Sequence, residues 1–450
     1  MVTKLIRETT GKLLYKKVQS KQRNMSRTEL GVLISISLGI VFLILFIVSL
    51  GFVQLKKDLV NQHFVQGDLS NSLDSSSVKN YRPVYPKSRY ITGIEFNMLT
   101  LKNICPGNGM EAPRSDNWTI TWADDGNQYT AWGDGGGFGG TNDEGRVSMG
   151  VAKIEGNRNN YSGYNIWGGK NPISSEKPFG GKSYGIISID GSLFMLRSGN
   201  GKTQQCYGMQ ELWKSRDHGE SWKRTGVDWN FPFEENTGFF VPTFLQFGQD
   251  YKGARDEYVY IYAPDHTMSV DSLSKWDVNK PGRINLIRVP KQFIEKKSAY
   301  SYFAGADSNG KPIWSSKIEK RLPVFSDSEN GVMRTSVIYN PGLKRYILTV
   351  QQVGRYKDLR GEKAHIGIYE STEPWGPWST ILFEHPWNIG DFPHLQNEKY
   401  PGDPKTVYWN FSPKWWYRNG RGFVMVYTGP GGDQWGSVEG TFTISGNRKK

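Results

Sequence analysis

From residue 115 to its end, this chain repeats one device five times: two short alternating runs joined by a tight turn, followed by one or two further runs. The blocks open at SDNWTITWADDGNQYTAWGD with 147–154, at SYGIISIDGSLFMLRSG (183–199) with 211–225, and at 240–247 with EYVYIYAPD and INLIRVP. The last two are MRTSVIYNPGLKRYILTVQQ (333–352) with 364–381, and SPKWWYRNGRGFVMVYTGP (412–430) with 436–445. Period-2 alternation bounded by Gly, Pro, Asn and Asp is the pattern of strands, not helices. A four-stranded unit returning at roughly 40–60-residue spacing predicts radially repeated sheets, an all-β, five-bladed propeller. The run around Tyr90 is then expected to complete the last blade and close the ring. Helical periodicity is confined to one turn near Phe293–Lys297 and to the apolar segment described below.

The first block carries the chemistry. Trp118, Ile120 and Trp122 alternate with Thr119 and Thr121, and Asp124-Asp125-Gly126-Asn127 supplies turn residues. The return strand is Gln128–Trp132. Folding back on that turn brings Asp116 beside Asp134, since opposed Cβ atoms in a hairpin lie about 4.5–5.5 Å apart and diagonal ones about 7–8 Å. Two carboxylates at such a separation are the working pair of a glycoside hydrolase, one as proton donor and the other as nucleophile or base. In a propeller both positions fall at one end of the axis, so both acids are expected to point into a central funnel. The glycines after Asp134 read as backbone left open for a ligand.

Further candidates surround this pair. Arg334 and Lys182, each at the start of an inner strand, are expected at the funnel mouth, where cations bind sugar hydroxyls or hold a carboxylate ionised. Trp415, with Trp416, opens the fifth block and offers a face for stacking on a sugar ring. Asp256 is a third acid near a strand start. Asp124 and Asp125 read as turn-formers at the opposite end. Ser215 to Trp222, SRDHGESW, fits the S-x-D-x-G-x-x-W turn of sialidase-like propellers, in which Asp217 serves structure. There is no CxxC pair and no HExxH, so neither a metal nor another cofactor is predicted.

TWADDGNQYTAWGDGGGF, SYGIISIDGSLFM, FGQDYKGARDEYVYIY, YNPGLKRYIL and PWGPWS together resemble a widespread bacterial domain formerly of unknown function. It is now associated with endo-D-arabinanases, glycoside hydrolases that cut mycobacterial arabinan. The likeness runs from about residue 90 to 445. It implies a five-bladed propeller with a catalytic aspartate pair, at the positions Asp116 and Asp134 occupy here.

The remaining sequence sets the compartment. Leu30–Leu55 contains no charged residue and is long enough to cross a bilayer core of about 30 Å. Eight Lys and Arg precede it against two Glu, which places the N-terminus in the cytoplasm and the rest outside. The expected order is a basic tail (1–29), a transmembrane helix (30–55), a polar linker (56–88) and the propeller (89–450). Of the net charge of +13, about +6 lies in the first 29 residues, and no basic stripe follows that could track a nucleic acid. Cys105 and Cys206 both fall on the outer side, where a disulfide is permitted but not fixed by spacing. The expected partners are a polysaccharide substrate and the membrane. The rival expectations are a glycan-binding propeller that cuts nothing and a scaffold for protein partners.

Overall fold

A computed structural model of the chain describes residues 81–102, 112, 115–198, 209–230, 232–234, 237–267, 278–353, 365–384, 406–429 and 433–446. The predicted tail, the 30–55 segment and both cysteines lie outside the described residues. Among the described residues no helix is long and apolar enough to cross a membrane.

Strands account for most of what is described, as the aromatic and β-branched alternation requires. β1 (Ile91–Lys102) comes first in the chain. Blade 1 is β2 (Asp116–Trp122), β3 (Gln128–Gly133), β4 (Met149–Gly156) and β5 (Tyr161–Trp167), and blade 2 is β6 (Ser183–Ile189), β7 (Ser192–Ser198), β8 (Gln210–Ser215) and β9 (Lys223–Trp229). Blade 3 is built on β10 (Thr237–Phe239), β11 (Thr243–Gln246), β12 (Tyr258–Thr267) and β13 (Arg283–Pro290). It is widened by the short β14 (Ser301–Ala306), β15 (Pro312–Ser315) and β16 (Pro323–Ser326). Blade 4 is β17 (Thr335–Asn340), β18 (Arg345–Gln352), β19 (His365–Ser371) and β20 (Ser379–Glu384). Blade 5 is β21 (Val407–Phe411), β22 (Gly422–Thr428) and β23 (Trp435–Ile444).

Within each blade paired strands are antiparallel and follow chain order, except in blade 3, where β10 pairs with β12 and β16 with β13. The inner strands β2, β6, β11, β17 and β21 run side by side around the axis, and β21 returns to β2. β11 and β17 pair in parallel through Leu245↔Val337 and Gln246↔Ile338, which fuses blades 3 and 4 into one sheet. β1 pairs with β23, Phe96 opposite Gly440, so the start of the propeller completes its last blade as the strand count requires. This closure leaves no gap in the ring.

Residues 81–88, which the sequence reading gave to the linker, are packed against blades 3 and 4. Tyr85 packs at a tilt on Phe325 and edge-on against Tyr369, and Ser88 N–H donates to Thr380 O at 2.8 Å.

The Ser215–Trp222 motif closes the β8–β9 turn. Asp217 accepts from Ser215 Oγ at 2.7 Å and from Ser221 N–H at 3.0 Å, while Trp222 Nε1 donates to Gly219 O. Burial alone would raise the Asp217 carboxyl, but these donors outweigh it and hold it below the usual range.

Candidate active site

The N-terminal ends of the inner strands share one end of the axis. There Asp116 opens β2 and pairs with Gly133. The next regular pair is Thr119 with Ala131, so Asn117 and Trp118 together face Trp132, which makes a β-bulge. Asn117 has φ +60°, a left-handed conformation that Asn tolerates better than most residues. The bulge turns the Asp116 carboxylate over Gly133. A Cβ added at Gly133 would lie 2.7 Å from Asp116 Oδ1 and 3.1 Å from Lys182 Cδ. Gly133→Ala should therefore displace both side chains and reduce activity at least about tenfold while the circular dichroism spectrum is kept. Wild-type turnover in that variant would show that the carboxylate can move without consequence.

Asp134 follows β3 directly, with φ +52° and its N–H on Ser148 O at 3.1 Å. Its Oδ1 meets Lys182 Nζ at 2.7 Å and Arg146 Nη2 at 3.2 Å. Lys182 Nζ also donates to Ser148 O at 2.8 Å. The lysine therefore runs its stem past Asp116 and ends on Asp134.

The two acids have opposite surroundings. Asp116 Oδ1 is sealed from solvent and has no hydrogen-bond partner among the described residues. Burial and then the charge of Asp433 push the Asp116 carboxyl up to about 7. Lys182 and Arg334 pull it down, and Asp134 pushes it up. Asp134 is 41% exposed and carries two cations on one oxygen.

Asp433 escaped the sequence reading. It sits between β22 and β23 at this same end, and the one local signal is its place beside a Gly pair, as Asp134 stands beside its own glycines. Three glycines of this loop serve packing, while Gly139 faces open space. A Cβ at Gly136, Gly137 or Gly140 would meet protein atoms at 2.2–2.3 Å. Asn165 pins this loop, its Nδ2 donating to Phe138 O and Lys170 O and its Oδ1 accepting from Phe138 N–H.

Three other expectations need correction. Arg334 is not at an open mouth: it is 3% exposed, with Nε donating to Asn117 Oδ1 at 2.7 Å and Nη1 to Gln351 Oε1 at 2.9 Å. Trp415 offers no stacking face, because the inner strand of blade 5 is β21. Trp415 lies in the turn after it, at the far end of the axis, buried against Tyr161. Asp256 also lies at the far end, in the β11–β12 loop, where it accepts from Tyr258 N–H and Tyr260 Oη. It repeats Asp125, which accepts from Asn127 N–H and Tyr129 Oη at the β2–β3 turn. Asp124, Asp125 and His218 converge there within 4.8 Å, but His218 already donates to Asp124, and the turn accounts for the grouping.

The axis is not an open funnel. Tyr184, Phe240, Val241, Met333 and Tyr408 fill its centre at the acid end, each less than 5% exposed. Below them a cavity of about 10 Å³ remains among Thr119, Thr243, Gln246, Ser336 and Asn410. At this end Asp134 and Arg146 reach solvent, with side chains 41% and 47% exposed.

Residues 185–392 match the family model of the domain of unknown function DUF4185, so the likeness to a domain once known only by that label holds over this stretch. No curated protein matches the chain. Among solved structures, the chain is similar to the α-L-arabinofuranosidase of Podospora anserina in complex with cellotriose, at 9% identity over 80% of this chain and 96% of that one, TM-score 0.41. It is similar also to the endo-arabinase of Bacteroides thetaiotaomicron, at 11% identity over 76% of this chain and 99% of that one, TM-score 0.41. A third is the xylan β-1,4-xylosidase of Bacillus halodurans, at 11% identity over 76% of this chain and 55% of that one, TM-score 0.38.

Proposed function

We propose that this chain is a glycoside hydrolase cutting a polysaccharide, with an arabinan-type furanose polymer as the first substrate to test. Asp116 is the general acid and Asp134 the nucleophile or base. The observation that carries this reading is the contrast between them: Asp116 has one oxygen shut away without a partner among the described residues and its carboxyl raised to about 7 by burial, while Asp134 is ion-paired twice and open to solvent. Environments that push two neighbouring carboxyls apart separate an acid role from a base role.

In this reading a glycosidic oxygen takes the Asp116 proton as the anomeric C–O bond breaks. Asp134 then attacks the anomeric carbon or deprotonates the water that does, according to the gap between the two groups. Lys182 and Arg146 stabilise the charge on Asp134 and fix its direction. The chain would act outside the cytoplasm, tethered by the 30–55 segment.

The test is the pH dependence of reducing-end release. An acid of pKa about 7 must be protonated to work, so kcat should fall as pH rises through about 7, roughly tenfold per unit beyond it. A rate that stays level to about pH 9 would remove Asp116 from the acid role.

A further inference from the structure

Blades 4 and 5 both reach Asn117 of blade 1, a residue with no chemistry of its own. It stands between the Asp116 carboxylate and the strand it belongs to, in the left-handed conformation that creates the bulge. It is 2% exposed. Its backbone N–H donates to Thr428 Oγ1 of blade 5 at 2.9 Å. Its side-chain oxygen accepts from Arg334 Nε of blade 4 at 2.7 Å. Arg334 is itself fixed by Gln351 Oε1, and its guanidinium lies 5.9 Å from the Tyr184 ring of blade 2. Asn117 Nδ2 approaches the same space over Gly133 that Asp116 and Lys182 share.

A left-handed residue other than glycine persists where its surroundings over-determine it, even when it is an Asn. Here both halves of the residue are held, backbone by one blade and side chain by another. The two contacts come from different blades, and the Arg334 charge also acts on Asp116 directly. We infer that Arg334, Asn117 and Thr428 form a positioning clamp that fixes the direction of the Asp116 carboxyl, so that Arg334 serves the acid and not the sugar. The inference rests on the acid role proposed above for its kinetic part only. The geometry of the clamp stands whatever the site does.

The test uses two readouts on the full-length chain. The first is the titration of Asp116 by carbon NMR of chain labelled at the Asp carboxyl carbon, with Asp116→Asn assigning the signal. The groups acting on it are Asp433, Asp134, Lys182 and Arg334. Asn117→Gly keeps access to positive φ but removes the acceptor, so the freed carboxyl should reach water and titrate well below its wild-type midpoint. Arg334→Lys keeps a cation without the paired donors and should act in the same direction. Arg334→Met also removes a charge that favours the ionised form, so it should titrate higher than Arg334→Lys. The second readout is kinetic. Asn117→Gly and Arg334→Lys should lower kcat about 10²-fold, the scale of an ångström-sized misplacement, with KM within about twofold of wild type. Coincident titration curves for Asn117→Gly and the parent, with each variant folded by circular dichroism, would overturn the clamp. A raised KM at unchanged kcat would likewise overturn it and make Arg334 a substrate contact. A wild-type chain that titrates as expected but cleaves no polysaccharide would overturn the hydrolase reading and leave the clamp supported.

Discussion

Asp116→Asn is expected to slow glycoside cleavage by about 10²–10⁴-fold, the usual worth of a positioned proton donor, while making the protein more stable at pH 8. The two effects share one cause. The carboxyl has an ordinary value of 3.8 and is raised to about 7 in the folded chain, chiefly by burial. Between those values the native state holds a proton that the unfolded state has released. Stability contributed by the protonated group is therefore present in full below about pH 4 and is lost as pH rises through about 7. An asparagine at this position carries no charge to desolvate. The variant should melt above wild type at pH 8, and the difference should vanish near pH 3.5. A variant that melts well below wild type at pH 8 would mean that the carboxylate is satisfied in the fold by partners it does not show here. Asp134→Asn should lose activity to a similar degree without that gain, because Asp134 is 41% exposed in both of its ion pairs, with Arg146 47% and Lys182 11% exposed, and pairs open to solvent contribute about 0–1 kcal/mol.

Asn165→Ala is expected to be the most damaging single change outside the acids. Asn165 is 5% exposed and ties the loop after Asp134 to its neighbours by four contacts, accepting from Phe138 N–H and donating to the carbonyls of Gly136, Phe138 and Lys170. Truncation leaves buried backbone groups unpaired at about 1–3 kcal/mol each. A total near 3–5 kcal/mol would lower Tm by roughly 5 °C in a chain of this size. The same loop leads to Arg146, so activity should fall together with stability. Thermal melting and reducing-end assays on one preparation would check both. A Tm within about 2 °C of wild type would show that water replaces the amide without loss.

Much of the fold is legible in the sequence because strands and turns are local. The β2–β3 hairpin follows from TITW and its DDGN turn, and ring closure by β1 follows from counting strands. Blade 5 misleads. KWWYRNGRG looks like part of a hairpin because it is aromatic, yet it is a turn in which Arg418 and Asn419 adopt positive φ. The inner strand is the shorter VYWNF before it. β14, β15 and β16 go unread because runs of four to six residues between polar turns carry little periodicity.

The site divides along the same line. Asp116 and Asp134 can be found from sequence because one hairpin brings them together. Asp433 reaches them from blade 5 and Arg334 from blade 4, and only ring closure places those ends beside blade 1. Asp256 shows the converse error. Its DEYVY context matches a strand start, but β12 runs from the far end, so the acid lies at the wrong face.

The central claim is that water is added across a glycosidic bond at the Asp116–Asp134 end. The most direct measurement is to incubate the chain with arabinans and xylan in heavy-oxygen water and weigh the fragments. Hydrolysis predicts that every new reducing end carries one heavy oxygen from solvent, and that Asp116→Asn yields none above background. Polymer that binds but stays intact across the panel, or fragments that end in an unsaturated sugar without solvent oxygen, would contradict it.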